Sequence, residues 1–155
     1  MGINLNRSAF LCPGQASQKV GMCKDIYESN DFANECLDSA NEILGYDLKK
    51  IMFEGPEELL KQTIYTQPAM FTASFIIGKL LINNGINPSC AAGHSLGEFS
   101  AFSIADAFSF ESGLRLVQIR AEAMFEAGKK QPGSMVAIIG LSESKINEIC
   151  SDYSK

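Results

Sequence analysis

The sequence predicts an α/β fold in which helices flank a parallel sheet. Short apolar runs at 9–12, 89–92 and 135–139 predict three strands. Between them, apolar side chains recur every three or four residues, which indicates amphipathic helices. Strands that alternate with helices in this way pair in parallel, because each helix carries the chain back to the end of the sheet at which the next strand starts.

The first strand and the first long helix have clear sequence boundaries. Pro13-Gly14 closes the run 9–12, as in a buried strand that ends in a turn. The clearest amphipathic helix follows Asp31, which we expect to cap it, and it stops at Gly45. Short helical turns are expected over 46–65.

Three further helices and a second strand are expected in the middle of the chain. Thr66 is expected to cap a helix over 67–84 that is apolar on nearly every side and therefore buried by its neighbours. The buried, small-residue strand 89–92 leads into a helix over 96–105. Another helix is expected over 110–127.

The last part of the chain carries the strongest strand pattern. Residues 135–139 follow a break at Pro132-Gly133, and Ser142 is expected to cap a final helix. We therefore divide the chain into a partial large α/β subdomain over 1–131 and a smaller unit over 132–155.

Composition and charge exclude several classes of function. The 155 residues include 13 Lys plus Arg and 18 Asp plus Glu, a net charge of −5. Nucleic acid and anionic membranes are therefore not expected as partners. No apolar stretch predicts a membrane span, and no signal peptide is expected. The five scattered cysteines are expected to be reduced thiols in the cytoplasm, with no metal and no cofactor bound.

A candidate nucleophile lies between the second strand and the helix that follows it. Residues 93–97 read Gly-His-Ser-Leu-Gly and fit G-x-S-x-G, the pattern of an elbow that projects a serine hydroxyl above a sheet. The pattern has only three fixed positions and can occur by chance. Its position between a strand and a helix is what favours Ser95 as a nucleophile. The backbone N–H of Leu96 would then point at a developing oxyanion.

The single histidine of the chain, His94, adjoins Ser95. Successive side chains at a sharp turn diverge, so we expect His94 to pack or to position substrate rather than to act as the general base. No histidine follows Leu96, where the residue order of α/β-hydrolases requires one. Either another group activates Ser95 or the base lies outside this chain.

Two other segments are candidates for the site, and each also has a purely structural interpretation. Backbone N–H groups in the turn 13–18 could supply a second oxyanion donor, although the segment read alone is only a polar turn. Arg120 borders the apolar stripe of its helix. It is either a surface arginine bonded to Glu122 or Glu126, or a guanidinium that binds a carboxylate in a pocket.

Four motifs, in their order and spacing, resemble those of the malonyl-CoA:acyl carrier protein transacylases of fatty acid synthesis. They are Pro-Gly-Gln-Ala-Ser-Gln at 13–18, Thr-Gln-Pro-Ala at 66–69, Gly-His-Ser-Leu-Gly-Glu at 93–98 and Arg-Ala-Glu-Ala-Met at 120–124. The resemblance covers the N-terminal half of that family. It implies a hydrolase-like acyltransferase core, of the kind shared with patatin-like proteins, and the start of a small ferredoxin-like subdomain.

The resemblance also implies a reaction. Ser95 would accept the malonyl group from malonyl-CoA, a coenzyme A thioester, and pass it to the phosphopantetheine thiol of acyl carrier protein. The backbone amides of Gln15 and Leu96 would form the oxyanion hole. Arg120 would pair with the free carboxylate of malonate, and Gln67 would line the same pocket.

The sequence departs from the family pattern at three positions and in length. Ala16 stands where the family usually has glycine, Cys12 where an aromatic residue is usual, and Ala105 where glycine is common. Family members are about twice as long, and their base is a histidine in the half that does not match this sequence. A complementing C-terminal half is therefore a candidate partner, and the chain alone is expected to be inactive or slow in turnover.

Two alternatives stay open at this point. One is a patatin-like lipid hydrolase with a Ser–Asp dyad, although the sequence has no Asp-Gly pair of the kind in which that aspartate typically lies. The other is a non-catalytic module that binds acyl carrier protein or a partner half.

Overall fold

The computed structural model describes residues 8–131 and 138–153 of the chain. Within those ranges two parallel strands, β1 (Ala9–Cys12) and β2 (Cys90–Gly93), pair with Ala9 opposite Cys90 and Cys12 opposite Gly93. The predicted α/β class and the parallel sheet with flanking helices are confirmed. The helices are α1 (Lys24–Ser29), α2 (Asp31–Leu44), α3 (Leu48–Glu54), α4 (Glu57–Leu60), α5 (Thr63–Asn83), α6 (Gly97–Ile104), α7 (Phe110–Lys130) and α8 (Glu143–Tyr153).

The sheet is less buried than the sequence predicts. Leu11 is 80% exposed, and Ala92 is also exposed. Side chains of a strand alternate between its two faces, and α6 packs against both strands. The other face stays open in the part of the chain that the structure describes, so the prediction of two buried strands is wrong here.

Helix α2 begins one residue away from its predicted cap. The Asn30 side chain accepts a hydrogen bond from the backbone N–H of Ala33 at 3.2 Å and is the true cap. Asp31 is the first helical residue, where its carboxylate complements the helix dipole. The predicted end is confirmed, because Gly45 adopts a φ of 74° and its N–H donates to the Asn41 carbonyl.

Helix α5 begins at Thr63, earlier than predicted, and Thr66 does not cap it. The Thr66 hydroxyl donates to the carbonyl of the last residue of α4. Pro68 lies inside the helix and has no N–H for the carbonyl of Ile64. The Tyr46 hydroxyl donates to that carbonyl at 3.3 Å. A side chain from outside the helix thus replaces the missing backbone hydrogen bond.

The hydrophobic core forms around α5, as its apolar surface predicts. The helix packs against α2, α3, α6 and α7. Phe71 at its centre is fully buried and stacks on Phe110 of α7 with 5.7 Å between ring centroids. Burial of such side chains stabilises the fold by roughly 25 cal/mol for each Å² of apolar surface removed from water. The core thereby fixes α5 and α7 relative to each other.

Only part of the predicted C-terminal unit can be compared with the structure. Pro132-Gly133 and most of the strand predicted over 135–139 lie outside the described residues. Ile138 and Ile139 are described, and both are exposed and belong to no regular element. Helix α8 begins directly after Ser142, as predicted. The division between 131 and 132 and the ferredoxin-like subdomain stay predictions.

Candidate functional site

The G-x-S-x-G segment forms a sharp turn between β2 and α6. Ser95 is exposed and adopts a φ of 55°, in the left-handed region that side chains other than glycine rarely occupy. The backbone N–H of the preceding His94 donates to the Cys12 carbonyl at 3.0 Å, which ties the turn to the end of β1. Strained residues of this kind cluster at active sites.

The two glycines of the motif are required by close backbone contacts. A Cβ atom at Gly93 would lie 1.9 Å from the carbonyl carbon of Gly97. A Cβ atom at Gly97 would lie 2.1 Å from the carbonyl oxygen of Cys12. These distances are far below van der Waals contact, so only glycine lets the strand ends and the first turn of α6 approach in this way.

Arg120 reaches from α7 to the candidate nucleophile. Its Nη2 donates to the Ser95 Oγ at 2.9 Å, and its Nη1 donates to the Gln67 Oε1 at 2.5 Å. The Phe99 ring lies 5.9 Å from the guanidinium carbon, at cation–π distance. Gln67 and the Phe99 ring therefore hold the guanidinium, and its Nη2 faces the serine.

No carboxylate pairs with Arg120 in the described part of the chain. Glu126 instead forms an ion pair with Lys129. The alternative of a surface arginine bonded to Glu122 or Glu126 is therefore wrong. A half-buried cation beside an exposed serine provides a site that can accept a carboxylate from a ligand.

Gln67 is fully buried and links Arg120 to the turn 13–18. Its Nε2 donates to the Gln15 Oε1 at 3.2 Å and contacts the Met124 sulfur at 3.3 Å. Gln15 in turn donates through Nε2 to the Thr63 Oγ1 at 3.3 Å. Because both ends of the Gln67 amide bind protein groups, the structure shows it as a support for Arg120. Direct contact between Gln67 and a substrate stays a prediction.

Two backbone N–H groups at the elbow and the turn remain available as donors. Among the described residues, neither the Gln15 N–H nor the Leu96 N–H has a hydrogen-bond acceptor. Leu96 is fully buried directly before α6, and Gln15 follows the end of β1. These are the positions predicted for an oxyanion hole, and their role in one stays a prediction.

Among the residues that the structure describes, neither His94 nor an acidic residue forms a hydrogen bond with the Ser95 hydroxyl. In the described ranges, Arg120 is the one hydrogen-bond partner of the Ser95 Oγ. The His94 imidazole lies over Gly14, where a Cβ would come within 2.9 Å of Nδ1. A Ser–Asp dyad of the patatin kind is therefore not favoured, and His94 as a substrate-binding residue stays a prediction.

The thiol next to the elbow is a weaker candidate nucleophile than Ser95. Burial raises the pKa of the nearby Cys12 thiol, which keeps it protonated and a poor nucleophile. The described residues contain no group of three or more His, Cys, Asp or Glu that could hold a metal ion. No helix among them is long and apolar enough to cross a membrane. The expectation of no cofactor stays a prediction.

A groove of about 430 Å³ opens beside the elbow, at the carboxyl ends of the strands. Open α/β sheets bind their ligands at this end. Its lining combines both strand ends and the histidine: Leu11, Cys12, Pro13, Ala92, Gly93 and His94. A second cavity of about 370 Å³ lies between β1 and α5, and neither Ser95 nor Arg120 lines it.

Thr63 and Phe99 belong to the site, and sequence reasoning missed both. Thr63 lies one helical turn before Gln67, and Phe99 lies four positions after Ser95. The i to i+4 spacing on a helix, which places two side chains on one face, could have indicated Thr63 from Gln67, since both lie on α5. No such pattern indicates Phe99, because Ser95 precedes α6 and adopts a left-handed backbone angle. Neither lies in a motif that predicts chemistry, which is why a search for such motifs passes over them.

Comparison with known proteins finds relatives along nearly the whole chain. The family model described as the acyl transferase domain matches residues 9–153. A malonyl CoA-acyl carrier protein transacylase of Staphylococcus aureus is 41% identical over 150 residues, which are 97% of this chain and 48% of that protein. The chain thus spans about half the length of the curated relatives it matches.

Solved structures give the same result. The malonyl-CoA:acyl carrier protein transacylase of Helicobacter pylori matches with a TM-score of 0.86 and 41% identity, over 95% of this chain and 48% of that chain. A malonyl-transacylase solved in complex with a type II polyketide synthase acyl-carrier protein matches with a TM-score of 0.83 and 35% identity, over 97% of this chain and 49% of that chain.

Proposed function

This chain belongs to the acyl transferase domain family, and on that premise we propose that it transfers a malonyl group from malonyl-CoA to acyl carrier protein. Ser95 attacks the thioester carbonyl, the bond to the coenzyme A sulfur breaks, and the malonyl group becomes an ester of the serine. The phosphopantetheine thiol of acyl carrier protein then attacks that ester and restores the serine hydroxyl.

The contact between Arg120 and the Ser95 Oγ at 2.9 Å carries this proposal. In a malonyl thioester, one methylene separates the reacting carbonyl from the free carboxylate. A cation one hydrogen bond away from the nucleophile matches that spacing. A buried carboxylate without a partner is costly, whereas a charge-assisted hydrogen bond contributes about 1.5–3 kcal/mol. Arg120 therefore favours malonyl over acetyl groups.

The oxyanion that forms when Ser95 attacks would be bound by the N–H groups of Gln15 and Leu96. Their lack of acceptors in the described residues supports this role. A preorganised donor of this kind contributes roughly a hundred- to a thousand-fold in rate. Gln67 contributes by holding Arg120 in place.

Acyl carrier protein as a partner is supported by the complex of a similar transacylase with such a protein. The names of the relatives support malonyl-CoA as donor. We place the reaction in the cytoplasm, since the described cysteines form no disulfide.

The general base for Ser95 comes from outside these 155 residues in this proposal. The chain has one histidine, and its imidazole does not contact the serine. A complementing segment like the other half of the relatives would have to bring a histidine within hydrogen-bond reach of the Ser95 hydroxyl. This part of the proposal is tested by adding free imidazole as an external base.

The decisive experiment is incubation with malonyl-CoA, followed by intact-mass measurement. We expect a malonyl adduct in the wild-type chain and none in Ser95→Ala, with faster adduct formation when imidazole is added. An adduct that persists in Ser95→Ala would contradict serine chemistry. A folded wild-type chain that forms no adduct, with or without imidazole, would favour a non-catalytic module that binds acyl carrier protein.

A further inference from the structure

The side chain of Gln15 is anchored at both ends of its amide. Nε2 donates to the Thr63 Oγ1 at 3.3 Å, and Oε1 accepts from the Gln67 Nε2 at 3.2 Å. Both anchors lie on the first two turns of α5, and Gln67 is fully buried. The N-terminal end of α5 thus holds the turn 13–18 through the side chain of Gln15.

This anchor acts on a turn that has little regular structure of its own. The turn follows β1, and Ala16 adopts a φ of 75° within it. The Ala16 N–H donates to the Gln18 side chain at 2.9 Å. The direction of the Gln15 N–H depends on the backbone angles at this point, and loss of the side-chain anchor would let those angles vary.

We propose that Thr63 is a positioning residue for the oxyanion hole, and that it acts by fixing the side chain and hence the backbone N–H of Gln15. This inference rests on the proposed function, in which that N–H binds the oxyanion. Thr63 lies at the start of α5 and touches no reacting atom.

Thr63 separates the positioning of Gln15 from the positioning of Arg120. Gln67 binds both residues, so its substitution would disturb the guanidinium as well as the turn. Within the described residues, the side chain of Thr63 makes one hydrogen bond, to Gln15. A change at Thr63 therefore removes a hydrogen bond of the turn and none of those that Arg120 makes.

The test uses two variants and one matched control in the full chain. Thr63→Val keeps the branched shape and removes the acceptor, whereas Thr63→Ser keeps the hydroxyl. Thr72→Val makes the same chemical change in the same helix. The Thr72 hydroxyl is buried and has no hydrogen-bond partner among the described residues, so its removal breaks no hydrogen bond there.

Two measurements are made on each protein. The first is the rate at which malonyl-CoA forms an adduct at Ser95, followed by intact mass. The second is the amide resonance of Gln15 in ¹H–¹⁵N spectra, which reports on the turn without any reaction. Thermal unfolding confirms that each variant is folded.

We expect Thr63→Val to slow adduct formation about tenfold and to shift or broaden the Gln15 amide resonance, because a misplaced donor loses most of its effect. Thr63→Ser and Thr72→Val should both keep the adduct rate and the Gln15 amide resonance of the wild type. An unchanged Gln15 resonance in Thr63→Val would overturn the proposal, as would a changed resonance with an unchanged adduct rate. If the wild type itself forms no adduct, the proposed function fails, and the resonance alone decides whether Thr63 fixes the turn.

Discussion

Arg120 donates to the hydroxyl of Ser95 at 2.9 Å, although 25 positions separate the two residues in the sequence. The elbow brings Ser95 to the start of α6, and the packing of α7 on α5 brings Arg120 to the same edge. One N–H of Nη1 donates to Gln67 and one of Nη2 donates to Ser95, so the other N–H groups of the guanidinium are left for a ligand. In the proposed reaction a substrate carboxylate would bind these groups beside the serine oxygen.

Removal of the cation should change the selectivity of acylation. We expect Arg120→Ala to slow malonyl adduct formation at Ser95 by about 10- to 100-fold, the equivalent of one charge-assisted hydrogen bond. Acetyl adduct formation from acetyl-CoA should be unchanged or faster, because acetate has no second carboxylate. The measurement is the ratio of the two adduct rates by intact mass.

Arg115→Ala is the matched control for this prediction. Arg115 lies on the same helix and is exposed. Its removal changes the net charge by the same amount but should leave both adduct rates as they are. Equal slowing of malonyl and acetyl transfer in Arg120→Ala would show that Arg120 is a structural residue and not a carboxylate ligand.

An internal carboxylate should compete with the substrate. Gln67→Glu keeps the size of the side chain and puts a negative charge where the Gln67 Oε1 now accepts from Arg120. We expect the malonyl adduct rate to fall at least as far as in Arg120→Ala, with a smaller effect on the acetyl rate. Gln118→Glu adds the same charge on α7, away from the Gln67 amide, and should change neither rate. Full malonyl transfer in Gln67→Glu would contradict the assigned role of Arg120.

The alanine in the turn 13–18 stores strain that a glycine would not. Ala16 has a φ of 75°, which costs a residue with a Cβ about 1–2 kcal/mol. Glycine loses about 0.5–1 kcal/mol more than alanine in conformational entropy on folding. Ala16→Gly should therefore raise the free energy of unfolding by up to about 1 kcal/mol, measured in urea.

Ala107→Gly tests whether this gain belongs to the backbone angle. Ala107 is an exposed alanine outside the helices and is not among the residues with positive φ. The same substitution there should lower the free energy of unfolding. A loss of stability in both variants would show that the left-handed angle at Ala16 stores no strain.

The sequence predicted the elbow and the parallel pairing well, because glycine spacing and strand–helix alternation are local patterns. It also placed Ala16 as a departure at a glycine position, and the positive φ gives the physical reason. It could not give the chain of hydrogen bonds from Thr63 through Gln15 and Gln67 to Arg120. Those contacts join residues up to 53 positions apart and depend on how the helices pack, which local periodicity does not encode.

The prediction that both strands are buried failed for a different reason. Apolar runs are typical of strands covered on both faces, and Leu11 and its neighbours form such a run. In the described residues one face has no covering element, and Leu11 is 80% exposed. Such a face and edge are prone to association with another chain.

The last prediction concerns Tyr46, whose hydroxyl supports the helix that carries Gln67. It donates to the Ile64 carbonyl, which Pro68 leaves without a backbone donor. Tyr46→Phe should lower the free energy of unfolding near neutral pH by about 1–2 kcal/mol, since a partly buried acceptor loses its partner. Tyr153→Phe, at a side chain that is 88% exposed, should have no effect.

The pH dependence of this deficit reports on the buried phenol of Tyr46. Burial raises the pKa of the Tyr46 phenol above its ordinary value of about 10, so the folded state requires the protonated form. The unfolded phenol ionises above about pH 10, and from there the stability that Tyr46 contributes decreases as the pH rises towards the folded pKa. The phenylalanine variant lacks this loss, so its deficit should shrink above about pH 10. The thiols of Cys23 and Cys36, whose pKa values burial raises to about 11 and about 12, destabilise both proteins alike at high pH. Parallel stability curves across this range, measured by urea unfolding, would contradict the raised pKa of the buried phenol.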